Sequence, residues 1–144
     1  MEKSNMPHFR TTRRVEFGDT DMAGIMHFSN FFKFIEVAET NFLHSLGYSV
    51  TWVTDGIRYG FPRVSVKCDF FKPARFEDEL VMEVRVAKVG TKSVTYQILF
   101  LKNEEKIAEG LVTSVLCRGT AHGMMESIGI PEEMRAKLEA ASVH

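Results

Sequence analysis

The chain has 144 residues, 44% of them hydrophobic and 26% charged, the make-up of an ordinary globular protein able to bury one core. Its 18 basic and 19 acidic residues give a formal net charge of −1, so no overall field attracts nucleic acid or an anionic membrane. Residues 1–14 lack the apolar stretch of a signal peptide, and no segment approaches the roughly 18 apolar residues of a membrane span.

The chain shows no repeat, low-complexity tract or linker, so the sequence predicts a single domain over residues 1–144. Its two cysteines, Cys68 and Cys117, each lie within an alternating apolar run. Their spacing fits neither a zinc site nor a disulfide framework. We interpret both as small core residues, and we expect a cytoplasmic protein.

The first elements are a strand and a long helix. Residues 9–17 alternate between two faces, which predicts a partly buried strand. From Asn30 to Leu46 the period becomes helical, with Ser29 or Asn30 able to cap the start and Gly47 suited to the end. The apolar face of this helix comprises Phe31, Phe34, Ile35, Ala38, Phe42 and Leu46.

Four further strands and a closing helix follow. Residues 48–60 look irregular, with one helical turn around Val50–Thr54. Alternation then returns in 61–71, 79–89, 92–101 and 105–118. The last three of these segments are joined by connections of hairpin length, which predicts antiparallel neighbours. The sequence IPEEMRAKLEA at 130–140, with Pro131 at its start, predicts the final helix. The order indicates an α+β fold, in which one helix covers only one face of the sheet and the other face needs a partner or stays polar.

The strand and the long helix are joined by GDTDMAG, residues 18–24. Asp, Gly and Thr are turn formers, so a plain turn is one interpretation. The other is chemical, because the loop holds two carboxylates and no basic residue, and it leads into a helix N-terminus that stabilises negative charge. Gly24 would let the backbone approach a ligand closely. A carboxylate beside such amides can attack a carbonyl or activate water while the amides hold the oxyanion.

Three segments of the chain resemble one family. VEFGDTDMAGIMHFSNFFKFIEVAETNFL at 15–43 is similar to the opening of the hotdog-fold acyl-CoA thioesterases of the 4-hydroxybenzoyl-CoA thioesterase type, in which a D-x-D-x-x-G motif enters a long central helix. FPRVSVKCDFFKPARFEDEL at 61–80 and GIPEEMRAKLE at 129–139 resemble that family's second strand and closing helix. The resemblance implies a hotdog fold, in which an antiparallel five-stranded sheet wraps around the helix. It also implies hydrolysis of an acyl-CoA or aroyl-CoA thioester to the free acid and CoA.

Carried onto this chain, the motif makes Asp21 the catalytic carboxylate, acting as nucleophile or general base, and Asp19 a loop-shaping residue. Gly24 matches the motif glycine. Phe28 matches a position often occupied by Tyr or His in relatives, whose backbone N–H polarises the thioester carbonyl, and that amide needs no particular side chain. His27 precedes it, either as a helper in the site or as a pocket-wall or surface histidine.

Coenzyme A carries phosphates, which bind Lys and Arg. By resemblance, the nucleotide lies near the hairpin that holds Lys92 and Ser93, with Lys88 beside it. Arg63, on an earlier strand, is a further candidate. Each of these residues is also an ordinary surface group when taken alone. Glu36, on the polar side of the helix, either contacts the substrate or is simply solvated.

The resemblance further implies a homodimer or homotetramer whose sites are built from both chains, with no metal and no bound cofactor. The five histidines are scattered without metal-ligand spacing, and the aromatic residues follow core periodicity rather than a nucleic-acid stacking platform. Two rivals stay open. One is a hydratase or dehydratase acting on acyl thioesters, with His27 as its base, and the other is a non-catalytic acyl-thioester binding module. The sequence does not identify the acyl group.

Overall fold

The structure, a computed structural model, describes residues 8–142. Within this range lie two α-helices, α1 (Phe28–Ser45) and α2 (Glu132–Ala140), and a 3-10 turn at Phe17–Asp19. The strands are β1 (Phe9–Arg14), β2 (Thr51–Thr54), β3 (Ile57–Gly60), β4 (Arg63–Phe70), β5 (Glu79–Val89), β6 (Ser93–Lys102), β7 (Glu105–Val115), β8 (Cys117–Gly119) and β9 (Met125–Ser127). None of the described helices has the length and apolar character needed to cross a membrane. The α+β class predicted from the sequence is confirmed.

Five strands form one antiparallel sheet in the order β1-β5-β6-β7-β4, and α1 packs against one of its faces. The pairing of β5 with β6 and of β6 with β7 confirms the predicted antiparallel neighbours. Alternate residues of these strands meet the apolar face of α1 in the core. The largest fully buried side chains include Tyr96, Phe34, Phe100, Leu43, Leu80 and Met82.

Helix α1 begins two residues earlier than its apolar pattern predicts. Its first residue is Phe28, and its N-cap is His27, whose ring accepts a hydrogen bond from Ser29 N–H at 3.3 Å. The prediction of Ser29 or Asn30 as the cap is therefore wrong, because the ring nitrogen takes the place of a short side-chain oxygen. The predicted end is confirmed, since Gly47 follows the last turn with φ +87°, a left-handed conformation that glycine adopts without strain.

The face of the sheet turned away from α1 is polar. Glu83 accepts hydrogen bonds from Arg10 Nε at 3.0 Å and from Arg85 Nε at 2.7 Å. Burial opposes ionisation of Glu83, but these hydrogen bonds outweigh it and hold the pKa of the carboxyl below its ordinary value. Thr95 and Thr113 pair across neighbouring strands at 2.9 Å. Of the two outcomes predicted for this face, the polar one is observed in the single chain.

A second, four-stranded sheet in the order β2-β3-β8-β9 is absent from the sequence prediction. Residues 48–60, expected to be irregular with a helical turn around Val50–Thr54, contain the β2–β3 hairpin instead. The hairpin turns at Asp55 and Gly56, whose φ angles of 52° and 78° are the two left-handed values that a two-residue loop needs. The strand expected over 105–118 divides into β7 and β8, and β8 joins this second sheet.

Strand β4 lies at the edge of the five-stranded sheet and is more exposed than its alternation predicts. Val64 is 62% exposed, Val66 43% and Phe70 45%, although all three alternate with the polar residues of 61–71 and so share one apolar face. A register shift just after Arg63 interrupts the pairing of β4 with β7, which leaves Val64 outside the ladder. On its other side β4 has no neighbouring strand within residues 8–142. An apolar, unpaired edge of this kind is a surface on which another strand can add.

Both cysteines are free. Cys117 is buried, and Cys68 is half-buried against the core. Burial, with a smaller contribution from the charge of Asp69, raises the pKa of Cys68 to about 11, so this thiol stays protonated and unreactive at neutral pH. Their surroundings agree with the core role predicted for them.

Candidate active site

Asp19 fastens the two ends of the acidic loop. Its Oδ2 accepts a hydrogen bond from Glu16 N–H at 2.8 Å, which closes the 3-10 turn after β1. Its carbonyl oxygen accepts from His27 N–H and from Asn30 Nδ2, both at 2.9 Å, at the start of α1. One residue therefore holds the loop against the helix N-terminus.

Asp21 is half-buried in the loop, and one of its carboxylate oxygens is already engaged. Oδ1 accepts a hydrogen bond from Ala23 N–H at 2.9 Å, and the Asp21 N–H donates to Ile25 O at 2.9 Å. Among residues 8–142 nothing donates to Oδ2 and no cation pairs with this carboxylate. The side chain is thus oriented through one oxygen while the other is available for chemistry.

Gly24 has φ +81°, which lies in the left-handed region. A Cβ added at this position would meet no atom within 4 Å. Glycine is therefore favoured here by the backbone conformation and not by packing. The turn is closed by a hydrogen bond from Gly24 N–H to Asp21 O at 2.9 Å and by a bridge between Thr20 and Met26. Its close approach to a ligand stays a prediction.

Phe28 is the first residue of α1, and its N–H has no acceptor in the described part of the chain, as is usual in the first turn of a helix. The helix dipole adds partial positive charge at this amide. The Phe28 ring is 60% exposed and packs on the ring of His27 with centroids 4.7 Å apart. His27 Nδ1 lies 2.8 Å from Ser29 Oγ, so this ring nitrogen is engaged in the helix cap, whereas Nε2 has no partner in the described part of the chain. The Phe28 amide and the His27 Nε2 are therefore the groups with unused hydrogen-bonding capacity within the described residues.

The candidates Lys88, Lys92 and Ser93 gather at the turn between β5 and β6. Both lysines are exposed. The turn is held from outside by Arg135 of α2, whose Nη2 donates to Gly90 O at 2.7 Å. Arg135 is not predicted from the sequence, because its contact joins elements that no local pattern connects. A turn fixed in this way presents its basic side chains from a rigid backbone.

Arg63 does not join that group. It lies on β4, at the edge of the sheet, where its Nε donates to Glu39 Oε1 at 2.8 Å and its Nη1 lies 3.7 Å from Glu36 Oε2. Glu39 is fully buried, and its Oε2 accepts from Ser114 Oγ at 2.8 Å. The charge of Arg63 is therefore matched by a buried carboxylate, whereas neither Lys88 nor Lys92 pairs with an acidic side chain among residues 8–142.

Glu39 is a buried residue whose role is not predicted from the sequence. It falls on the apolar face of α1, four residues after Ile35 and three before Phe42, where a charge requires a buried partner. That partner, Arg63, belongs to another element, so the pairing has no local signal. The Tyr96 hydroxyl is buried without a partner among residues 8–142. Burial, and after it the negative charge of Glu39, raise the pKa of Tyr96 well above its ordinary value.

A cavity of about 430 Å³, open to solvent on one side, lies between α1 and β4. Its lining residues are Phe32, Lys33, Ile35, Glu36, Arg63, Val66 and Val112. Phe28, Phe32 and Glu36 follow one another at a spacing of four, so they share one stripe of the helix. At 1.5 Å per residue, the cavity begins one turn from Phe28 and reaches Glu36 after about 12 Å. It therefore extends from the loop end of α1 along the edge of the sheet.

The acidic loop and the β5–β6 turn lie at opposite ends of strand β5. Val15, next to the loop, donates a hydrogen bond to the carbonyl of Asp78, which precedes β5. Lys92 follows the other end of the same strand. Strand β5 has 11 residues and at 3.3 Å per residue spans roughly 33 Å. A single chain therefore does not bring Asp21 and Lys92 into one compact site.

The sequence of residues 15–138 matches the Thioesterase-like superfamily, and the match includes the acidic loop, α1 and the five-stranded sheet from β4 onward. The chain belongs to this family. The resemblance found from the loop motif is thereby confirmed. Among the described residues, no three His, Cys, Asp or Glu side chains are grouped so that they could hold a metal ion.

Relatives with related names are spread over several organisms. A 1,4-dihydroxy-2-naphthoyl-CoA hydrolase of Prochlorococcus marinus (strain MIT 9303) is 29% identical over 139 residues, covering 91% of this chain and 89% of that protein. Acyl-CoA thioesterase YbgC of Haemophilus influenzae is 24% identical over 123 residues, covering 85% and 88%. The structure of BH1999 gentisyl-coenzyme A thioesterase superposes with a TM-score of 0.77 at 27% identity, covering 90% of this chain and 99% of that one.

Proposed function

We propose that the protein hydrolyses a CoA thioester of an acyl or aroyl group to the free acid and CoA. The observation that carries this proposal is the half-engaged carboxylate of Asp21, held in the loop that leads to the unpaired N–H of Phe28. The names of its relatives support the same reaction. The chemistry of a carboxylate and an amide requires neither a metal nor a bound cofactor. A cytoplasmic location fits the free thiols of Cys68 and Cys117.

Two routes use this pair of groups. As a nucleophile, Asp21 attacks the thioester carbonyl carbon, the C–S bond breaks, CoA leaves as the thiolate, and water then cleaves the acid anhydride. As a general base, Asp21 takes a proton from a water molecule whose oxygen attacks the same carbon, and CoA again leaves. On either route the carbonyl oxygen gains negative charge, which the Phe28 N–H and the α1 dipole stabilise.

The cavity between α1 and β4 is the acyl site in this proposal, and an aromatic ring is its preferred occupant. A volume of about 430 Å³ falls in the range of small-molecule sites. The lining combines apolar side chains with a few charged ones, which suits a ring carrying polar substituents. The relatives named for 1,4-dihydroxy-2-naphthoyl-CoA and gentisyl-CoA support an aroyl substrate.

A second copy of the chain completes the site in this proposal. Antiparallel pairing of β4 with the β4 of a partner would continue the sheet into the second chain, with the two chains in opposite orientations. The β5–β6 turn of the partner would then lie at the same end of the joint sheet as Asp21. Lys88, Lys92 and Ser93 of one chain then bind the CoA phosphates of a thioester whose carbonyl is held by the other. The exposed apolar side chains on the β4 edge support a homodimer, or a homotetramer made of two such dimers.

The direct test is a spectrophotometric thiol-release assay over short-chain, medium-chain, long-chain and aromatic acyl-CoAs. We expect readily measured release of CoA from at least one aromatic or medium-chain thioester. A flat response across the panel from folded protein would refute hydrolysis. Hydration of an enoyl-CoA without thiol release would identify the hydratase, and binding with neither reaction would identify a binding module.

A further inference from the structure

Arg63 has unused hydrogen-bond donors beside the cavity. An arginine carries five N–H donors in a planar fork. In Arg63 only the Nε–H is committed, to Glu39 at 2.8 Å. Nη1 lies 3.7 Å from Glu36 Oε2, which is too long for a hydrogen bond, and Nη2 is buried without a partner among the described residues. The Arg63 side chain is 26% exposed and lines the cavity, so it is reachable from there.

The orientation of this guanidinium is fixed by its hydrogen bond to the buried Glu39. The carboxylate of Glu39 has no exposed surface, and its second oxygen is held by Ser114 Oγ at 2.8 Å. If Arg63 swung away, a buried carboxylate would lose its only cationic partner in the described chain, which is strongly unfavourable. Arg63 is therefore an oriented donor, unlike Lys33, whose ammonium sits on a flexible stem at the same cavity.

The rest of the cavity explains what such a donor would recognise. Ile35, Val66 and Val112 offer apolar surface to a ring. An apolar pocket takes its specificity from a small number of fixed polar groups, and a donor left unpaired in it disfavours every occupant that brings no acceptor. In the proposed function the thioester lies near Phe28, at the other end of the cavity, so the acceptor that meets Nη1 belongs to the part of the acyl group farthest from the thioester.

We propose that Arg63 is a specificity-determining residue, which selects aroyl groups that carry an acceptor oxygen, a hydroxyl or a carboxylate, on the ring. This assignment rests on the proposed function, because it takes the cavity as the acyl site of a thioesterase. Glu39 acts through Arg63 as a positioning residue and does not touch the substrate.

Two variants test the assignment without leaving an unpaired buried carboxylate. Arg63→Lys keeps a positive charge opposite Glu39 but lacks the oriented fork. The double variant Arg63→Met with Glu39→Gln removes both charges together. Thermal melting first shows that each variant is folded. Each variant is then assayed by thiol release on matched pairs of thioesters. The pairs are benzoyl-CoA against its 2-, 3- and 4-hydroxy and carboxy derivatives, and 2-naphthoyl-CoA against its hydroxylated forms. Lys33→Met is the matched control, since it removes the other cation of the cavity.

The measured quantity is the ratio of kcat/KM for the substituted and the unsubstituted thioester. We expect the wild-type protein to prefer at least one substituted member by about tenfold or more, and both Arg63 variants to reduce that ratio by about tenfold, the effect of losing one hydrogen bond to a charged group. Lys33→Met should keep the ratio. The role of Arg63 is refuted if the ratio is unchanged in both Arg63 variants, or if Lys33→Met lowers it equally. In either case, thiol release by the wild type still supports the thioesterase activity. Absence of release from every thioester refutes the proposed function itself.

Discussion

Replacement of Asp21 by asparagine removes one negative charge from the acidic loop and keeps the size of the side chain. The asparagine carbonyl oxygen still accepts the hydrogen bond that Ala23 N–H gives to Asp21 Oδ1 at 2.9 Å. Because no ion pair is lost within residues 8–142, we expect the free energy of unfolding to change by less than about 0.5 kcal/mol. For a chain of this size the corresponding change in Tm is below about 2 °C.

The rate should respond far more strongly than the stability. An amide neither attacks a thioester nor takes a proton from water, so kcat in Asp21→Asn should fall by at least about 10²-fold, or about 2.7 kcal/mol in activation free energy. The measurement is thiol release at saturation with the best substrate of the panel. A thioether analogue that cannot be hydrolysed should still bind within about threefold of the wild-type affinity, because the residues proposed to hold CoA lie elsewhere.

Asp19→Asn is the matched control, with the same change of charge two residues away. Asp19 Oδ2 accepts the hydrogen bond from Glu16 N–H at 2.8 Å, and a neutral amide makes this bond more weakly than a carboxylate. We expect a loss of about 1 kcal/mol in stability and a rate within about threefold of the wild type. If Asp21→Asn keeps its rate, or if the two variants exchange their effects, Asp21 is not the catalytic carboxylate.

Two further predictions concern assembly and the buried ion pair. Light scattering at micromolar concentration should show a dimer or tetramer, and a monomeric wild type would contradict this. Val64→Glu on the β4 edge should shift the protein towards monomer with loss of activity, whereas Val53→Glu on the second sheet should do neither. Glu39→Gln should lower the stability by about 3 kcal/mol and Tm by about 6–12 °C, because Arg63 loses its buried partner. The control Glu36→Gln, at an exposed neighbour, should leave Tm within about 2 °C of the wild type. Equal Tm values for the two variants would contradict a stabilising role of the buried pair.

Local pattern predicts the parts of this fold whose contacts are local. Helix α1 shows its apolar stripe in the sequence, and Gly47 marks its end because a left-handed residue is needed there. The loop motif predicts a family as well as a turn, and the family match over residues 15–138 confirms it. The hairpin at Asp55 and Gly56 carries the strongest short hairpin signal, Asp-Gly, yet its strands of four residues are too short to show a period.

Residues that act through tertiary contacts are not predicted in the same way. Glu39 interrupts an apolar stripe, which signals a buried charge without naming its partner. The sequence alone predicts Arg63 as a surface cation on an alternating strand. In the fold it contacts Glu39, with a separation of 2.8 Å between Nε and Oε1. The exposure of β4 likewise depends on its place at the edge of the sheet, and strand order is a property of the whole chain rather than of any segment.

The presence of the Arg63–Glu39 ion pair beside the cavity favours a role in recognition over a role in stability. Desolvation of Glu39 and Arg63 offsets much of their attraction, and well-packed apolar residues of similar volume often replace such pairs with no loss of stability. An apolar pair, however, would leave the cavity without an oriented donor. The double variant used to test Arg63 separates these roles. If it is about as stable as the wild type but no longer discriminates between hydroxylated and plain aroyl groups, the ion pair serves recognition. Lost stability with unchanged discrimination would make the pair a purely structural link between α1 and β4.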